Sequence, residues 1–294
     1  MADAPTDTPA WGLADVARSG VALESVWPYP VDVGWAHGSG DGAGARVCVV
    51  DSGIDGEHPR VGGVQRSVVA IADDAGRMRI AEDTAGDASG HGTACAGIIR
   101  EIAPGCELGS VRVLGPDLGG TGAALVAGLE WAIDAGYDVI NLSLSTRRRT
   151  FAEELHELAD RAYFRGALLV CSAHNLPVES FPWRFASVVS VAAHDGADGL
   201  EVHYNPRPPV EFYGRGVDVP VAWQGGGSIR ATGNSFATPH VSGICARILG
   251  AHPSLTPFQV KSLLYLTAAN VHAVASPVSR RPARADRSAA ARDA

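Results

Sequence analysis

Short apolar runs alternate along the chain with longer segments that have a helical period of apolar positions. The runs have the length of strands and lack in-out alternation, which is typical of parallel strands that are covered on both faces. The predicted strands are Arg46 to Val50, Leu108 to Leu114, Val139 to Leu144, Ala167 to Ser172 and Val188 to Ala193. The predicted helices are His91 to Ile99, Ala123 to Ala135, Phe151 to Arg165, Ser235 to Leu249 and Phe258 to Ala269.

The order of these elements predicts the fold class. From residue 108 to residue 172 strands and helices take turns, and a β-α-β-α-β order builds a parallel sheet covered by its connecting helices. We therefore predict an α/β fold with a doubly wound, mainly parallel central sheet and helices on both faces. The segment that ends at Gly90 is interpreted as polar and variable, and residues 194–230 as loops with short antiparallel strands.

Length and composition suit one domain with appendages. The chain has 294 residues, of which 46% are hydrophobic and 19% charged, as in ordinary globular proteins. We predict an N-terminal extension over residues 1–40 that packs on or leads into the domain, and a single domain over residues 41–275. Residues 276–294 form a Pro/Ala/Arg tail with little to bury, which we expect to be disordered.

Charge and cysteine usage exclude several function classes. A formal charge of −8 argues against nucleic acid as a partner and favours basic substrates. The longest apolar stretches are far shorter than the roughly 20 residues that span a bilayer, so no membrane span is predicted. The first twenty residues lack the apolar core of a signal peptide, and five cysteines without a C-x-x-C pair suit a reducing compartment. We therefore predict a cytoplasmic protein, and composition leaves its oligomeric state open.

Three polar residues lie where predicted strands end or helices begin. Asp51 follows the first strand, while His91 and Ser235 each open an apolar helix. A serine hydroxyl becomes a nucleophile when an imidazole takes its proton, and a buried carboxylate fixes the tautomer of that imidazole. Taken singly, the three residues have plainer interpretations as a turn cap, a core histidine and a helix N-cap. Taken together, they supply a nucleophile, a base and an orienting acid.

The sequence around these residues resembles the subtilisin-like serine proteases, or subtilases. The similar segments are VVDSGID at residues 49–55, HGT at residues 91–93 and SFATPHV at residues 235–241. Their order, Asp then His then Ser, is the order found in subtilisin. Weaker similarity covers residues 40–270. The resemblance implies a subtilisin-like fold and a serine endopeptidase that hydrolyses peptide bonds through an acyl-enzyme, without a cofactor.

The resemblance also implies the other site residues. Asn175, in the segment SAHN after a predicted strand, matches the side-chain amide that stabilises the oxyanion. Loss of such a donor lowers turnover about 100- to 1000-fold, as measured in subtilisin itself. The implied substrate-binding residues are Gly119, Gly120, Thr121, Ser143, Leu144, Ser145, His174 and Asn234. The expected partner is thus a peptide or protein substrate that pairs with the main chain.

Three positions depart from the family pattern. His174 and Ser145 stand where glycine is usual, and Asn234 replaces the common threonine before the nucleophile. We expect a narrower, more polar cleft and a restricted task, such as removal of a leader peptide or processing of one partner. The alternative is a catalytically impaired subtilase that binds peptides as a regulatory module. Glu179 lies in a shortened loop, where it either faces solvent or selects Lys or Arg in the substrate.

No metal is predicted to be required. Only five residues separate Gly97 from Ala103, which leaves no room for the insertion that carries the strong calcium site of secreted subtilisins. Acidic residues at positions 73, 74, 82, 83 and 87 offer oxygen ligands, but a solvated acidic loop is the preferred interpretation. Cys95, four residues after His91, resembles the thiol of the proteinase K-like branch, and we expect it to be inert packing.

Overall fold

The computed structural model describes residues 27–271 of the chain. Its strands are β1 (Arg46–Asp51), β2 (Arg66–Ala72), β3 (Met78–Glu82), β4 (Glu107–Arg112), β5 (Val139–Leu142), β6 (Leu168–Ser172), β7 (Val189–His194), β8 (His203–Tyr204), β9 (Phe212–Arg215), β10 (Val219–Trp223) and β11 (Gly227–Ala231). Its helices are α1 (Val33–Ala36), α2 (His91–Ile102), α3 (Gly122–Asp134), α4 (Ala152–Phe164), α5 (Asn234–Ala251) and α6 (Pro257–Thr267). Short 3-10 turns lie at Arg149–Phe151 and Gln224–Gly226.

Nine strands form one sheet in the order β3-β2-β4-β1-β5-β6-β7-β9-β8. Every neighbouring pair is parallel except at the two edges, where β3 and β8 run antiparallel to their neighbours. Strands β10 and β11 form a separate antiparallel ribbon. The predicted α/β fold with a mainly parallel central sheet is confirmed.

The central strand β1 explains why the apolar runs lack alternation. Val47 and Val49 pack into the core layer that contains residues of α2 and α5, on one side of the sheet. Cys48 and Val50 pack into the layer that contains residues of α3 and α4, on the other side. Both faces of β1 are therefore buried, and each of the four side chains is completely inaccessible to solvent.

The segment before α2 contains two strands that the sequence did not predict. Strand β2 joins the sheet beside β4, and β3 closes that edge. Only Val68 and Val69 of these strands are buried, and β3 has no buried residue. Strand β3 is at the edge of the sheet and carries polar residues, so its composition looks like that of a loop. Strand β2 contains the apolar run at 68–72, a strand signal that the interpretation as a polar segment overlooked.

Other differences concern where elements end. Strand β5 ends at Leu142, two residues earlier than predicted, and residues 143–146 leave the sheet. Helix α2 continues to Ile102, three residues beyond the prediction. In the region predicted as antiparallel, β8, β10 and β11 pair antiparallel, but β9 extends the parallel sheet beside β7.

The strand order reverses at β1. The strands that follow β1 in the chain, β2 to β4, lie on one side of it, and after α3 the chain supplies β5 on its other side. In open α/β sheets, ligands bind beyond the carboxyl ends of the strands at such a reversal, because the connections diverge there and leave a crevice. Asp51 is the last residue of β1 and therefore lies at the base of this crevice.

The described part of the N-terminal extension packs on the domain. Trp27 and Trp35 lie with ring centroids 5.8 Å apart and contact the core layer of α2 and α5. Residues 1–26 and the predicted tail at 276–294 lie outside the described residues. Between residues 27 and 271, no helix combines the length and the hydropathy that a bilayer-spanning helix requires.

Candidate active site

Asp51 and His91 form a buried pair at the carboxyl edge of the sheet. His91 Nδ1 lies 2.8 Å from Asp51 Oδ1 and 3.0 Å from Oδ2. Because a carboxylate accepts hydrogen bonds, Nδ1 carries the proton, and Nε2 is the basic nitrogen of the neutral ring. Burial lowers the pKa of His91, but the charge and hydrogen bond of Asp51, with the charge of Asp87, raise it above 6.5 overall. His91 is therefore a stronger base than a free imidazole.

A close backbone contact brings α2 against the turn that follows β1. A Cβ atom on Gly92 would lie 2.0 Å from the carbonyl oxygen of Gly53 and 3.3 Å from the Cβ atom of Asp51. Any larger residue at position 92 would push the helix away. Glycine thus allows His91, its neighbour in the chain, to reach the carboxylate of Asp51.

Asp87 caps the first turn of α2. Its Oδ1 accepts from the N–H of Gly90 at 2.9 Å, and its Oδ2 accepts from the N–H of Thr93 at 2.8 Å. These donors have no partner inside the helix, and a negative charge is favourable at this end of the helix dipole. The hydroxyl of Ser52 donates to Asp87 Oδ1 at 2.7 Å, which ties the cap to the end of β1.

Ser235 lies at the start of α5, where a proline four residues later leaves its carbonyl without the usual partner. A helical carbonyl accepts from the N–H four residues on, but Pro239 has no N–H. The Ser143 hydroxyl takes this place and donates to the Ser235 carbonyl at 2.8 Å. The thiol of Cys95 lies 3.7 Å from the same oxygen.

A buried chain of hydrogen bonds then connects Ser143 to the sheet. Asn141 of β5 donates from Nδ2 to the Ser143 hydroxyl at 3.0 Å. Its Oδ1 accepts from the hydroxyl of Ser242, two turns further along α5, at 2.9 Å. The backbone of the serine at position 235 is therefore anchored to β5 through side chains on two sides.

Asn175 is oriented by the residue before Ser235. The N–H of Asn234 donates to Asn175 Oδ1 at 2.9 Å, which leaves the amide group Nδ2 of Asn175 free to donate elsewhere. A Cβ atom added to Gly233 would lie 3.5 Å from Asn175 Nδ2 and 3.4 Å from the Ser235 hydroxyl. The amide group and the hydroxyl are therefore close neighbours, and both residues line the same cleft.

The side chain of Asn234 braces the ends of two strands. Its Oδ1 accepts from the N–H of Ala193 in β7 at 2.9 Å. Its Nδ2 donates to the carbonyls of Ala173 at 3.1 Å and His174 at 3.4 Å, just beyond β6. Asn234 therefore holds the loop that carries Asn175, the predicted oxyanion donor.

A cleft of about 660 Å³ joins these groups. Three of the predicted catalytic residues line it: His91, Asn175 and Ser235. The predicted substrate-binding residues that line it are Gly119, Gly120, Thr121, Ser143, Leu144, Ser145 and His174. Asn234 does not line the cleft, but it forms hydrogen bonds with the lining residues Ala173, His174 and Asn175. The ring of His91 is bonded to Asp51 and, among the described residues, not to the Ser235 hydroxyl; such contacts are often long before substrate binds.

The two residues that replace glycine both occupy the cleft. The Ser145 hydroxyl donates to the hydroxyl of Ser180 at 3.0 Å, and Ser180 also accepts from Trp183 Nε1 at 2.8 Å. Ser180 is completely buried, so this contact closes the wall of the cleft with polar groups. His174 accepts from the N–H of Leu176 at 3.0 Å, which holds its ring beside the cleft. Both side chains take space that glycine would leave open.

One group of metal-binding residue types lies within the site itself. The donor atoms of Asp51, His91 and Cys95 are within 4.8 Å of one another. Burial, followed by the charge of Asp51, raises the pKa of the Cys95 thiol well above its usual value. A thiol that stays protonated is a poor metal ligand and a poor nucleophile, so this arrangement suits a carboxylate that orients His91 by a hydrogen bond.

The acidic residues proposed from the sequence have separate partners. Asp83 accepts two hydrogen bonds from the guanidinium of Arg112, at 2.7 and 2.9 Å. Glu179 forms ion pairs with both Arg149 and Arg184. Because two arginines neutralise Glu179, its charge is not available to select a basic residue in a substrate.

The sequence did not predict the roles of three supporting residues: Asp87, Asn141 and Ser180. Asp87 was interpreted as part of a solvated acidic loop, but it caps α2. Asp87 is four residues before His91, which is a local signal, since carboxylates are common caps at helix starts. Asn141 is a polar residue inside an apolar strand, which signals a buried hydrogen bond. Ser180 carries no such signal for its place in the cleft wall, because its contact with Ser145 spans 35 residues.

Fold and site together have the features of one class of enzyme. A serine at a helix start, a histidine bonded to a buried aspartate and an amide donor, at the carboxyl edge of a parallel sheet, form the constellation of a serine hydrolase.

The comparisons with known proteins specify the family. Residues 42–281 match the model of the subtilase family. A thermostable alkaline protease of Halalkalibacterium halodurans is 33% identical over 79% of this chain and 64% of its own length. Subtilisin DY of Bacillus licheniformis is 31% identical over 78% of this chain and 85% of its own. The crystal structure of a cold adapted subtilisin-like serine proteinase superposes with a TM-score of 0.61 at 27% identity, over 76% of this chain and 82% of that chain.

The chain belongs to the subtilase family. Its described residues carry the fold and the chemical groups of a subtilisin-like serine endopeptidase, a hydrolase that acts on peptides or proteins.

Proposed function

We propose that this chain is a serine endopeptidase of restricted specificity that uses Ser235 as nucleophile, His91 as general base and Asp51 as orienting acid. The observation that carries the proposal is the buried hydrogen bond between His91 and Asp51 in the same cleft as Ser235. A binding module has no physical use for an imidazole whose pKa is raised by a buried carboxylate.

In this reaction the Ser235 hydroxyl attacks the carbonyl carbon of the scissile bond while His91 Nε2 takes its proton. Asp51 stabilises the imidazolium that results. The negative charge that develops on the carbonyl oxygen receives a hydrogen bond from Asn175 Nδ2, whose direction is fixed by Asn234. His91 then gives its proton to the leaving amine, and water hydrolyses the acyl-enzyme by the reverse steps.

The side chains of Ser145 and His174 support restricted specificity. Both narrow the space beside Ser235, and the Ser145 contact with buried Ser180 makes its wall polar. A small side chain next to the scissile bond therefore fits better than a bulky one, because a large apolar group would displace these polar contacts. This supports a limited task, such as removal of a leader peptide or processing of one partner protein.

The cysteines support a cytoplasmic location. All five are free and buried, at positions 48, 95, 106, 171 and 245. Secreted proteins tend to use cysteines as disulfides, whereas unpaired buried thiols persist in a reducing compartment. A protease in the cytoplasm needs a narrow choice of substrate, in agreement with the restricted cleft.

A second function is a peptide-binding module without catalysis. It is favoured by the Ser235 hydroxyl, which is not bonded to His91 in the described structure. Serine-directed chemistry separates the two functions.

The test is intact-mass spectrometry after treatment with a fluorophosphonate. We expect one adduct on the wild-type protein, and none on Ser235→Ala. His91→Ala should label at least about 100-fold more slowly, because the hydroxyl loses its base. Ser228→Ala, which removes an exposed hydroxyl on β11, is the matched control and should label like the wild type.

Two outcomes contradict the proposal. A folded wild-type protein that stays unlabelled would favour the peptide-binding function. Rapid digestion of unfolded casein at many sites would contradict the restricted specificity, although not the catalytic roles.

A further inference from the structure

Arg147 lies at the rim of the cleft without an acidic partner among residues 27–271. It lines the cleft, and its side chain is exposed. Its neighbours differ: Arg149 and Arg184 are both paired with Glu179, the latter at 2.8 Å. Neither Arg147 nor Arg148 forms an ion pair within the described part of the chain, so their charges are available to a ligand.

No carboxylate lines the cleft in the described structure. The titratable residues of its lining are His91, His174 and Arg147. Asp117 lies on the opposite loop, where its carboxylate accepts from the N–H of Gly119 at 2.9 Å, and it is not part of the lining. Charges interact over about 8 Å at physiological salt, so a peptide bound in the cleft senses the charge of Arg147, which lines it.

The backbone on both sides of Arg147 is fixed. Thr146 and Phe181 exchange two backbone hydrogen bonds, each of 2.9 Å. The Thr146 hydroxyl accepts from the N–H of Arg148 at 3.2 Å, and a 3-10 turn begins one residue later. A charge on a fixed backbone needs less ordering when it binds, so more of the interaction energy appears as affinity.

The position of Arg147 along the wall sets where a complementary charge must lie. Ser143, which donates to the Ser235 carbonyl, marks the catalytic end of the segment 143–147. Arg147 is four residues further along, and a peptide extended beside this segment advances at about 3.3 Å per residue. Its partner on the peptide is therefore about four or five residues from the scissile bond.

We propose that Arg147 selects substrates with Asp or Glu about four or five residues from the cleaved bond. The guanidinium binds a carboxylate with two parallel hydrogen bonds, which a neutral amide cannot match. An acidic peptide is thus the substrate class, which replaces the expectation of basic substrates from the net charge. The cleavage part of this inference rests on the proposed function, whereas the binding part does not.

The test measures binding of labelled peptides to the full chain with Ser235→Ala, by fluorescence anisotropy. The peptides have a central Ala-Ala bond and carry Glu, Gln or Lys four and five residues before it or after it. In one of the two series we expect the Glu peptide to bind about tenfold more tightly than the Lys peptide, with Gln between them. This ratio should approach one as salt rises from about 0.05 to about 0.5 M.

Two further variants in the same background identify the residue responsible. Arg147→Glu should reverse the preference, so that the Lys peptide binds more tightly than the Glu peptide. Arg79→Glu makes the same charge change on β3, at an exposed residue that does not line the cleft, and should leave the ratio unchanged. Arg79 thus controls for the change in net charge alone.

The outcomes distinguish this inference from the proposed function. Equal binding of the three peptides, no binding of any peptide, or a preference that survives Arg147→Glu would each overturn it. If acidic peptides bind selectively while the wild-type serine stays inert to the fluorophosphonate, the inference stands and the endopeptidase proposal fails.

Discussion

Asn234 illustrates how one side chain can position another without touching a substrate. Its backbone N–H directs Asn175, while its side-chain amide contacts Ala193, Ala173 and His174. All polar atoms of this amide are thus used to hold the two strand ends that flank the oxyanion donor. The family's usual threonine is shorter and has one hydroxyl, so it cannot make the same three contacts.

We predict that Asn234→Ala lowers kcat by about 10- to 100-fold with little change in KM. The oxyanion donor would remain but would be poorly held, so the loss is smaller than the 100- to 1000-fold expected for Asn175→Ala. Asn205→Ala is the matched control, since Asn205 also makes three loop hydrogen bonds but does not line the cleft. Steady-state kinetics on a peptide substrate would check this; an unchanged kcat for Asn234→Ala would contradict the positioning role.

At the scale of elements, the start of α5 depends on a neighbouring segment. Pro239 has no N–H to donate to the Ser235 carbonyl, and the Ser143 hydroxyl donates to this carbonyl instead. Without it, the weak contact from the Cys95 thiol at 3.7 Å would be the remaining partner of that carbonyl.

We predict that Ser143→Ala lowers the free energy of unfolding by about 1 to 3 kcal/mol, the usual range for an unpaired buried polar group. Urea unfolding in the Ser235→Ala background measures this without self-digestion. The rate of fluorophosphonate labelling should also fall when Ser235 is present, because its backbone loses an anchor.

Ser110→Ala provides the control for this prediction. Ser110 is a buried serine of β4 whose hydroxyl has no hydrogen-bond partner within the described chain. Its removal should be neutral or stabilising, because no hydrogen bond is lost. Equal losses of stability in the two variants would show that the Ser143 contact has no special role.

Sequence patterns predicted the elements that are buried on both faces, although several of these elements end two or three residues from the predicted position. Asp51, His91 and Ser235 were proposed because each is a reactive residue type at the end of an apolar element. The hydrogen bonds of the Asn234 side chain were not predicted, because their partners are distant in sequence. They span 41, 60 and 61 residues. Strand β3 was missed because its exposed positions resemble those of a loop.

At the scale of the whole molecule, two buried histidines connect stability to pH. Burial, with Arg247 nearby, lowers the pKa of His37 to about 4. Burial, with the charge of Arg215, lowers the pKa of His240 to about 4, although its Nδ1–H donates to the Phe236 carbonyl at 2.9 Å. In the unfolded chain both titrate near 6.5. Between pH 6.5 and pH 4 the unfolded state therefore binds more protons, and the folded state loses stability as pH falls.

We predict that the lowered pKa of each histidine reduces the free energy of unfolding by about 2 kcal/mol when pH falls from 7 to 5. The raised pKa of His91 acts in the opposite direction and is common to all variants. His240→Asn keeps a donor for the Phe236 carbonyl but has no titrating group at this position. The free energy of unfolding of this variant should therefore fall by about 2 kcal/mol less than that of the parent when pH falls from 7 to 5. Urea unfolding at pH 7 and pH 5 in the Ser235→Ala background would check this, and an identical pH dependence would contradict it.

The order of the strands also has a consequence for the protein during its synthesis. Asp51 and His91 leave the ribosome early, but the helix that carries the nucleophile spans residues 234–251 and packs on strands from β5 to β9. Domains fold as units while the ribosome adds about 5 to 20 residues per second, so more than a hundred residues must follow His91 before the three groups can meet. We therefore expect incomplete translation products that end before α5 to lack the constellation of Asp51, His91 and Ser235.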